Sequence, residues 1–291
     1  MVHMLLRLLA RLPLGWLHGI GATAGLIVYH LSPRYAAKID SNLRQSGIAA
    51  DPSVFDRLRM QAARHIGRAL LELPAIWFRP AASAAALVVD VHGWELVEAA
   101  RRERRGILFL TPHLGCFEVS ALYAAVRMPI TVLYRPPKLR WLEPLMRAGR
   151  TRGYGKLAPT SLGGVRQLLK ALKGGEAVGL LPDHVPGFGE GVWAPFFGRS
   201  AYTMTLVGRL QHATGCAVIL AFARRLPRGR GFALELEAVE ADLSGEAGAG
   251  RLNRALERLI RRCPEQYLWS YNRYKVPAGA ASPAGPSAPA T

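Results

Sequence analysis

The sequence predicts an α/β fold, a mixed sheet flanked by helices and preceded by an apolar N-terminal membrane segment, and three observations carry that prediction. Six short runs, apolar or alternating, are each bounded by Gly, Pro or charge, as strands are. Helix-period stretches lie between them, the alternation that builds a sheet covered by helices. Near the start, residues 12–31 ("LPLGWLHGIGATAGLIVYHL") contain no Asp, Glu, Lys or Arg, and their length approaches the ~20 residues that cross a bilayer as a helix.

Residues 1–31 therefore read as a membrane-associating segment. Its glycines, Pro13, His18 and His30 leave a kinked span, a re-entrant hairpin, an interfacial helix and a buried helix open. Arg7 and Arg11, with the small residues Ala22, Thr23 and Ala24, also permit a signal peptide, although Arg11 interrupts the apolar region. Basic residues flank both sides, so charge gives no orientation. Residues 32–47 and 51–78 read as amphipathic helices. In the second, Phe55, Leu58, Ala62, Ile66, Ala69, Leu70 and Leu73 recur near the helical period. The strand-like runs are 87–93, 106–110, 130–134, 177–181, 216–223 and 232–239. Helices are expected over 95–104, 118–126, 139–147, 164–173, 203–214 and 253–262. One catalytic domain, 32–275, is followed by a Pro/Ala/Gly/Ser-rich tail, 276–291, that is expected to be disordered.

A chain of 291 residues can bury one sizeable core. Its 38 Lys and Arg against 20 Asp and Glu give +18, which favours an anionic partner: nucleic acid, the anionic face of a bilayer, or a phosphorylated or acidic substrate. No nucleic acid is expected, because the sequence has neither a basic helix interleaved with aromatics nor a known nucleic-acid motif. Cys116, Cys216 and Cys263 are far apart and form no C-x-x-C, which argues against a disulfide framework and a zinc site and for a reducing compartment. No metal and no cofactor is expected.

"GILFLTPHLGCFEVS" (residues 106–120) runs a strand into Thr-Pro-His, then a glycine, then a helix carrying Glu118. On one continuous helix, five residues turn through ~500° and leave His113 and Glu118 about 140° apart. A histidine in the preceding loop, where Pro112 and Gly115 favour irregular backbone, can turn back toward a carboxylate in the first turn. Two readings follow. Glu118 orients His113 as a general base, or both decorate a helix N-terminus where a carboxylate is favourable anyway.

"LTPHLGCFE" resembles the H-x4-D/E block of the glycerolipid-type acyltransferases, and specifically of the bacterial lipid A biosynthesis (lauroyl/myristoyl) acyltransferase family. The resemblance runs from about Arg34 to Lys275. It takes in "SPRYAAKIDSNLRQSG", the Tyr-Arg-Pro block "VLYRPPK", "RTRGYG", "LLPDHVPGFGEGVWAPFFGRSAYT" and the closing "YLWSYNRYK", in order and at sensible spacing. The chain departs from the family in having Gly-Cys-Phe-Glu for Gly-Asn-Trp-Glu, and Asp183-His184 for Asp-Gln.

The resemblance implies a glycerolipid acyltransferase-like fold and transfer of a fatty acyl group from acyl carrier protein to a hydroxyl of a phosphorylated glucosamine disaccharide, a lipid A precursor. It implies His113 as general base, oriented by Glu118, at the cytoplasmic face of a bacterial inner membrane. Arg135, leaving a strand into Pro-Pro, carries a five-donor fork suited to phosphate or an oxyanion; Arg150 and Arg152 add charge near the same strand ends. Asp183, in a loop after a strand, would hold an arginine or the sugar, and His184 beside it has no assigned role. Trp193, Phe196 and Phe197 line an acyl groove or belong to the core. Three rivals stand beside this reading: Cys116 as a covalent thiol nucleophile, another membrane glycolipid or aminolipid as acceptor, and a catalytically silent lipid-binding homologue.

Overall fold

The computed structural model describes residues 2–137 and 139–283. It opens on helices: α1 (Val2–Arg11), α2 (Leu14–Leu31), α3 (Pro33–Gln45), α4 (Pro52–Leu71), α5 (Leu73–Phe78) and α6 (Ala81–Ala85). Asp51 starts α4 by accepting from the N–H groups of Ser53 and Val54, at 2.8 and 3.0 Å. The single helix expected over 51–78 breaks at Glu72, because Pro74 has no N–H to continue the ladder and fits only the first turn of a new helix.

No described helix is long and apolar enough to cross a membrane, which overturns the expected N-terminal membrane segment. The reason lies in how α2 uses its glycines. Gly21 and Gly25 meet Gly67 and Ala63 of α4 at backbone distance, and a Cβ on Gly67 would stand 1.9 Å from the carbonyl oxygen of Gly21. His18, one turn earlier on that face, is buried against Glu72. The uncharged run is thus a helix packed on a helix, and its outer side, with Trp16, Ile20, Ile27, Val28 and Leu31, is exposed.

The remainder alternates: β1 (Val88–His92), α7 (Trp94–Arg102), β2 (Ile107–Leu110), α8 (Phe117–Ala125), β3 (Ile130–Tyr134), α9 (Glu143–Arg150), β4 (Gly155–Pro159), α10 (Leu162–Lys173) and β5 (Ala177–Leu180). Then come β6 (Gly191–Phe196), β7 (Arg199–Met204), α11 (Leu206–Thr214), β8 (Ala217–Arg225), β9 (Phe232–Ala238) and α12 (Gly245–Arg262). Seven strands form one sheet in the order β1-β9-β8-β2-β5-β3-β4. Only β8 and β9 pair antiparallel within it, so the sheet is mixed, and helices flank it. The central strands "ILFL" and "AVGL" are unbroken apolar runs because both their faces are covered. Leu108, Leu110, Val178 and Leu180 pack to one side with Leu168, Leu210 and Leu256. Ile107 and Phe109 pack to the other with Val119 and Leu122 of α8.

Three strands were not expected from the sequence. β4, "GKLAP", is a short edge strand without apolar alternation. β6 and β7 form a separate hairpin, closed by Phe197 (φ 47°) and Gly198 (φ 73°), the paired positive φ of a tight hairpin turn; Pro195 masks it in the sequence. Of the tail expected to be disordered, residues 276–283 carry no helix or strand, and 284–291 lie outside the described residues.

Candidate active site

Parallel pairing of β2 with β5 sets the register of the site. Leu110 pairs with Leu180, so the loops that follow leave the same edge of the sheet. Each then takes two residues, the second a proline, before presenting His113 on one loop and Asp183 on the other. The backbone N–H of His113 donates to Asp183 Oδ2 and its Nδ1–H to Oδ1, both at 3.0 Å. Asp183 is fully buried and His113 is 8% exposed. Burial alone would raise the Asp183 carboxyl, but the His113 ring and its hydrogen bonds draw it down to about 2, so it remains an acceptor.

The loop that carries His113 is held from several sides. Gly115 sits at φ 60° with its Cα so close to β8 that a Cβ would lie 2.1 Å from the Ala223 carbonyl oxygen. Arg225, fully buried between the two oxygens of Glu72, donates at 2.7 Å to the Gly115 carbonyl. The same Glu72 takes His18 of α2 at 3.0 Å, so the N-terminal helix is tied to the loop through one buried carboxylate. Burial opposes the charge on Glu72, and Arg225 and His18 hold its pKa down to about 2. From the C-terminal block, Leu268 N–H donates to His113 O at 2.9 Å, and the Tyr271 ring stacks on His113 at 5.4 Å between centroids.

Glu118 does not reach His113, and the expected orienting pair is corrected here. Helix α8 begins at Phe117, whose ring stands edge-on to His113 at 5.2 Å. One residue on, and about 100° around the axis, Glu118 points to α9. It accepts from Arg150 Nε at 3.1 Å on both oxygens, from Arg150 Nη2 on Oε1, and from Trp77 Nε1 at 3.1 Å. The carboxylate that bonds the histidine is Asp183. Glu118, which is buried, and Arg150, which is partly so, form an ion pair instead, in which Glu118 more than offsets the cost of burying the guanidinium. Glu118→Ala is therefore expected to lower stability by about 1–3 kcal/mol, by leaving the part-buried Arg150 and the Trp77 Nε1–H without their acceptor. Glu118→Gln should do less harm. A thermal melt checks this, and an unshifted Tm for Glu118→Ala with lost activity would restore the orienting role.

The other predicted residues divide. Arg135 is exposed just beyond the end of β3, and its charge bears on His184 and Tyr271. Arg150 keeps Nη1 free of protein hydrogen bonds among the described residues. Arg152 leaves the expected substrate-binding set, because its donors go to the carbonyls of Ile76, Arg79 and Gly149, closing α5 onto α9. Cys116 is buried, and burial with Glu72 nearby pushes its thiol well above the ordinary range, which argues against a thiolate nucleophile. Phe196 and Phe197 pack in the core with Tyr274 and Trp269. The apolar cavity lies elsewhere, between the sheet and α8, and is open to solvent. Trp94, Phe109, Phe117, Ile130 and Val132 line it, and Thr111, Glu118 and Arg150 supply its polar groups.

Sequence reasoning missed His184 and Tyr271 as parts of the site. It also missed the pairing of His113 with Asp183, whose one signal was the shared offset past two apolar strands.

Over residues 1–276 the chain matches the family described as bacterial lipid A biosynthesis acyltransferase. It is 27% identical over 283 residues to the lipid A biosynthesis lauroyltransferase of Escherichia coli K12, covering 94% of this chain and 90% of that protein. It is 30% identical over 225 residues to the lipid A biosynthesis palmitoleoyltransferase of the same organism, covering 75% and 72%. To the lipid A biosynthesis myristoyltransferase of that organism it is 23% identical over 185 residues, covering 62% and 57%.

Proposed function

The chain belongs to the bacterial lipid A biosynthesis acyltransferase family, and we propose that it moves a fatty acyl group from acyl carrier protein to a hydroxyl of a phosphorylated lipid A precursor. That it is an acyltransferase of lipid A biosynthesis follows from the family. Donor, acceptor and residue roles are the proposal, and one observation carries it: a buried His113–Asp183 couple sits at the strand ends close to an apolar cavity.

Asp183 holds the Nδ1–H tautomer of His113 and leaves Nε2 as the basic nitrogen. The acceptor hydroxyl loses its proton toward that nitrogen as its oxygen attacks the thioester carbonyl. The tetrahedral oxyanion collapses, and the thiolate of the carrier leaves and is reprotonated. Arg135, and Nη1 of Arg150, are the cations available to a phosphate or to the oxyanion. The acyl chain occupies the apolar cavity, where each methylene buried contributes about 0.8 kcal/mol gross. Glu118 serves the site by holding Arg150.

The net charge of +18 suits an acidic carrier protein and a phosphorylated acceptor. We place the protein on the cytoplasmic face of the inner membrane, held at the anionic bilayer surface by its net positive charge.

The test supplies acyl carrier protein bearing a labelled acyl thioester, and a tetra-acylated lipid A precursor in phosphatidylglycerol vesicles. The label is expected in a lipid with one added chain, and the protein is expected to sediment with the vesicles. Transfer only to an ornithine lipid or a mannosylated phospholipid would move the acceptor. No transfer to any acceptor would leave a lipid-binding homologue.

A further inference from the structure

His184 lies against the basic nitrogen of His113. The two Nε2 atoms are 3.1 Å apart and the rings are nearly parallel, 7° between planes, with centroids 4.7 Å apart. The Tyr271 ring is parallel to both, 5.4 Å from each, and its hydroxyl accepts from the Val185 N–H at 2.9 Å, which anchors the loop one residue beyond His184. Because Asp183 takes the Nδ1–H of His113, the neutral ring has only Nε2 as acceptor, and His184 must then be the donor through its own Nε2–H. That leaves Nδ1 of His184 as the lone pair facing outward, with no hydrogen bond among the described residues and not sealed from solvent. With Nε2 of His113 engaged by His184, the open acceptor of the pair is Nδ1 of His184.

Taking the acyl transfer above as its premise, we propose that His184 is a second catalytic residue, the outer member of an Asp183–His113–His184 proton relay. As the acceptor oxygen bonds to the thioester carbon, its proton goes to His184 Nδ1, and the proton on His184 Nε2 passes to His113 Nε2. The positive charge therefore rests on His113, beside Asp183. When the tetrahedral adduct collapses and the C–S bond breaks, both protons return along the same path and one leaves on the thiol. Two features suit His184 to the outer position. Burial, with His113 beside it, holds its pKa down to about 4, so it stays neutral and keeps an open Nδ1 at working pH. Its ring is also clamped in plane by Tyr271, so a route that swings it away from His113 breaks a packed stack.

The test measures single-turnover acyl transfer by the full chain in mixtures of light and heavy water. Two protons in flight give a bowed dependence of rate on deuterium fraction. A straight line in the wild-type protein overturns the relay without any variant. His184→Gln, which preserves a hydrogen-bonding side chain but relays no proton, is expected to lose at least a hundredfold in the transfer rate with substrate affinity within twofold. His184→Ala is expected to lose as much and to regain at least tenfold with added imidazole. If His184→Gln and His184→Ala transfer at the wild-type rate or faster, the hydroxyl reaches His113 directly and the relay fails. An inactive His113→Ala beside those active variants would then keep the acyltransferase reading, and an active His113→Ala would sink that reading itself.

Discussion

His113→Ala is expected to lower acyl transfer by at least a hundredfold while the protein remains folded. A positioned general base contributes about 10²- to 10⁴-fold, and among the described residues no other side chain presents a nitrogen paired with a buried carboxylate at this strand edge. The fold should survive because the backbone N–H of residue 113 still satisfies Asp183 Oδ2. Losing the ring hydrogen bond costs stability on the order of 1–3 kcal/mol, which a melt would register as a lower Tm and not as a lost transition. A residual rate above about a tenth of wild type would remove His113 from the base role. Cys116→Ala is the control. Its thiol is buried and pushed up well beyond the range of a thiolate, so activity should persist. A dead Cys116→Ala with a trapped acyl-enzyme would transfer the chemistry to the thiol.

Much of the fold was legible because the central strands announce themselves. "GILFL" and "AVGLL" are apolar throughout and end in Thr-Pro and Leu-Pro, so the loops that carry His113 and Asp183 could be placed before any coordinates. Which carboxylate the histidine meets was not legible. Sequence distance favours Glu118, five residues away. The register of two parallel strands favours Asp183, seventy residues away, and a backbone pairing of that kind leaves no local trace. The packing of the N-terminal helix was not legible for a related reason. A run without charge reads the same whether lipid or a neighbouring helix covers it, and only the close approach of Gly67 shows which. Arg152 shows the reverse case. A basic residue at a strand end invites a ligand, but its donors are taken by three backbone carbonyls that no pattern of side chains could reveal.

Asp183→Asn should cost more than its one-atom change suggests, on the order of 10⁴-fold, as when the acid of a serine-protease triad becomes an amide. The reason is the second hydrogen bond. Asp183 accepts from two donors at once, the His113 peptide N–H and Nδ1–H. An asparagine has one oxygen, and the peptide N–H has no other acceptor among the described residues. The amide oxygen therefore goes to the peptide, and the NH₂ faces Nδ1, which must give up its proton to accept. The ring is left in the tautomer with hydrogen on Nε2, the nitrogen that has to accept a proton during transfer. Geometry is kept and the base is lost. The same substitution has a signature in pH. With its pKa held to about 2, the wild-type carboxylate contributes stability that is fully present above the unfolded value of about 4 and is lost as pH falls through about 2. In Asp183→Asn that acid slope of stability should flatten, while activity stays low at every pH because the tautomer, not a titration, is at fault. Denaturation between pH 5 and pH 2, set beside a pH–rate profile, checks both. A variant that keeps more than a tenth of the rate, or that recovers it at high pH, would show that Asp183 fixes the loop and not the proton.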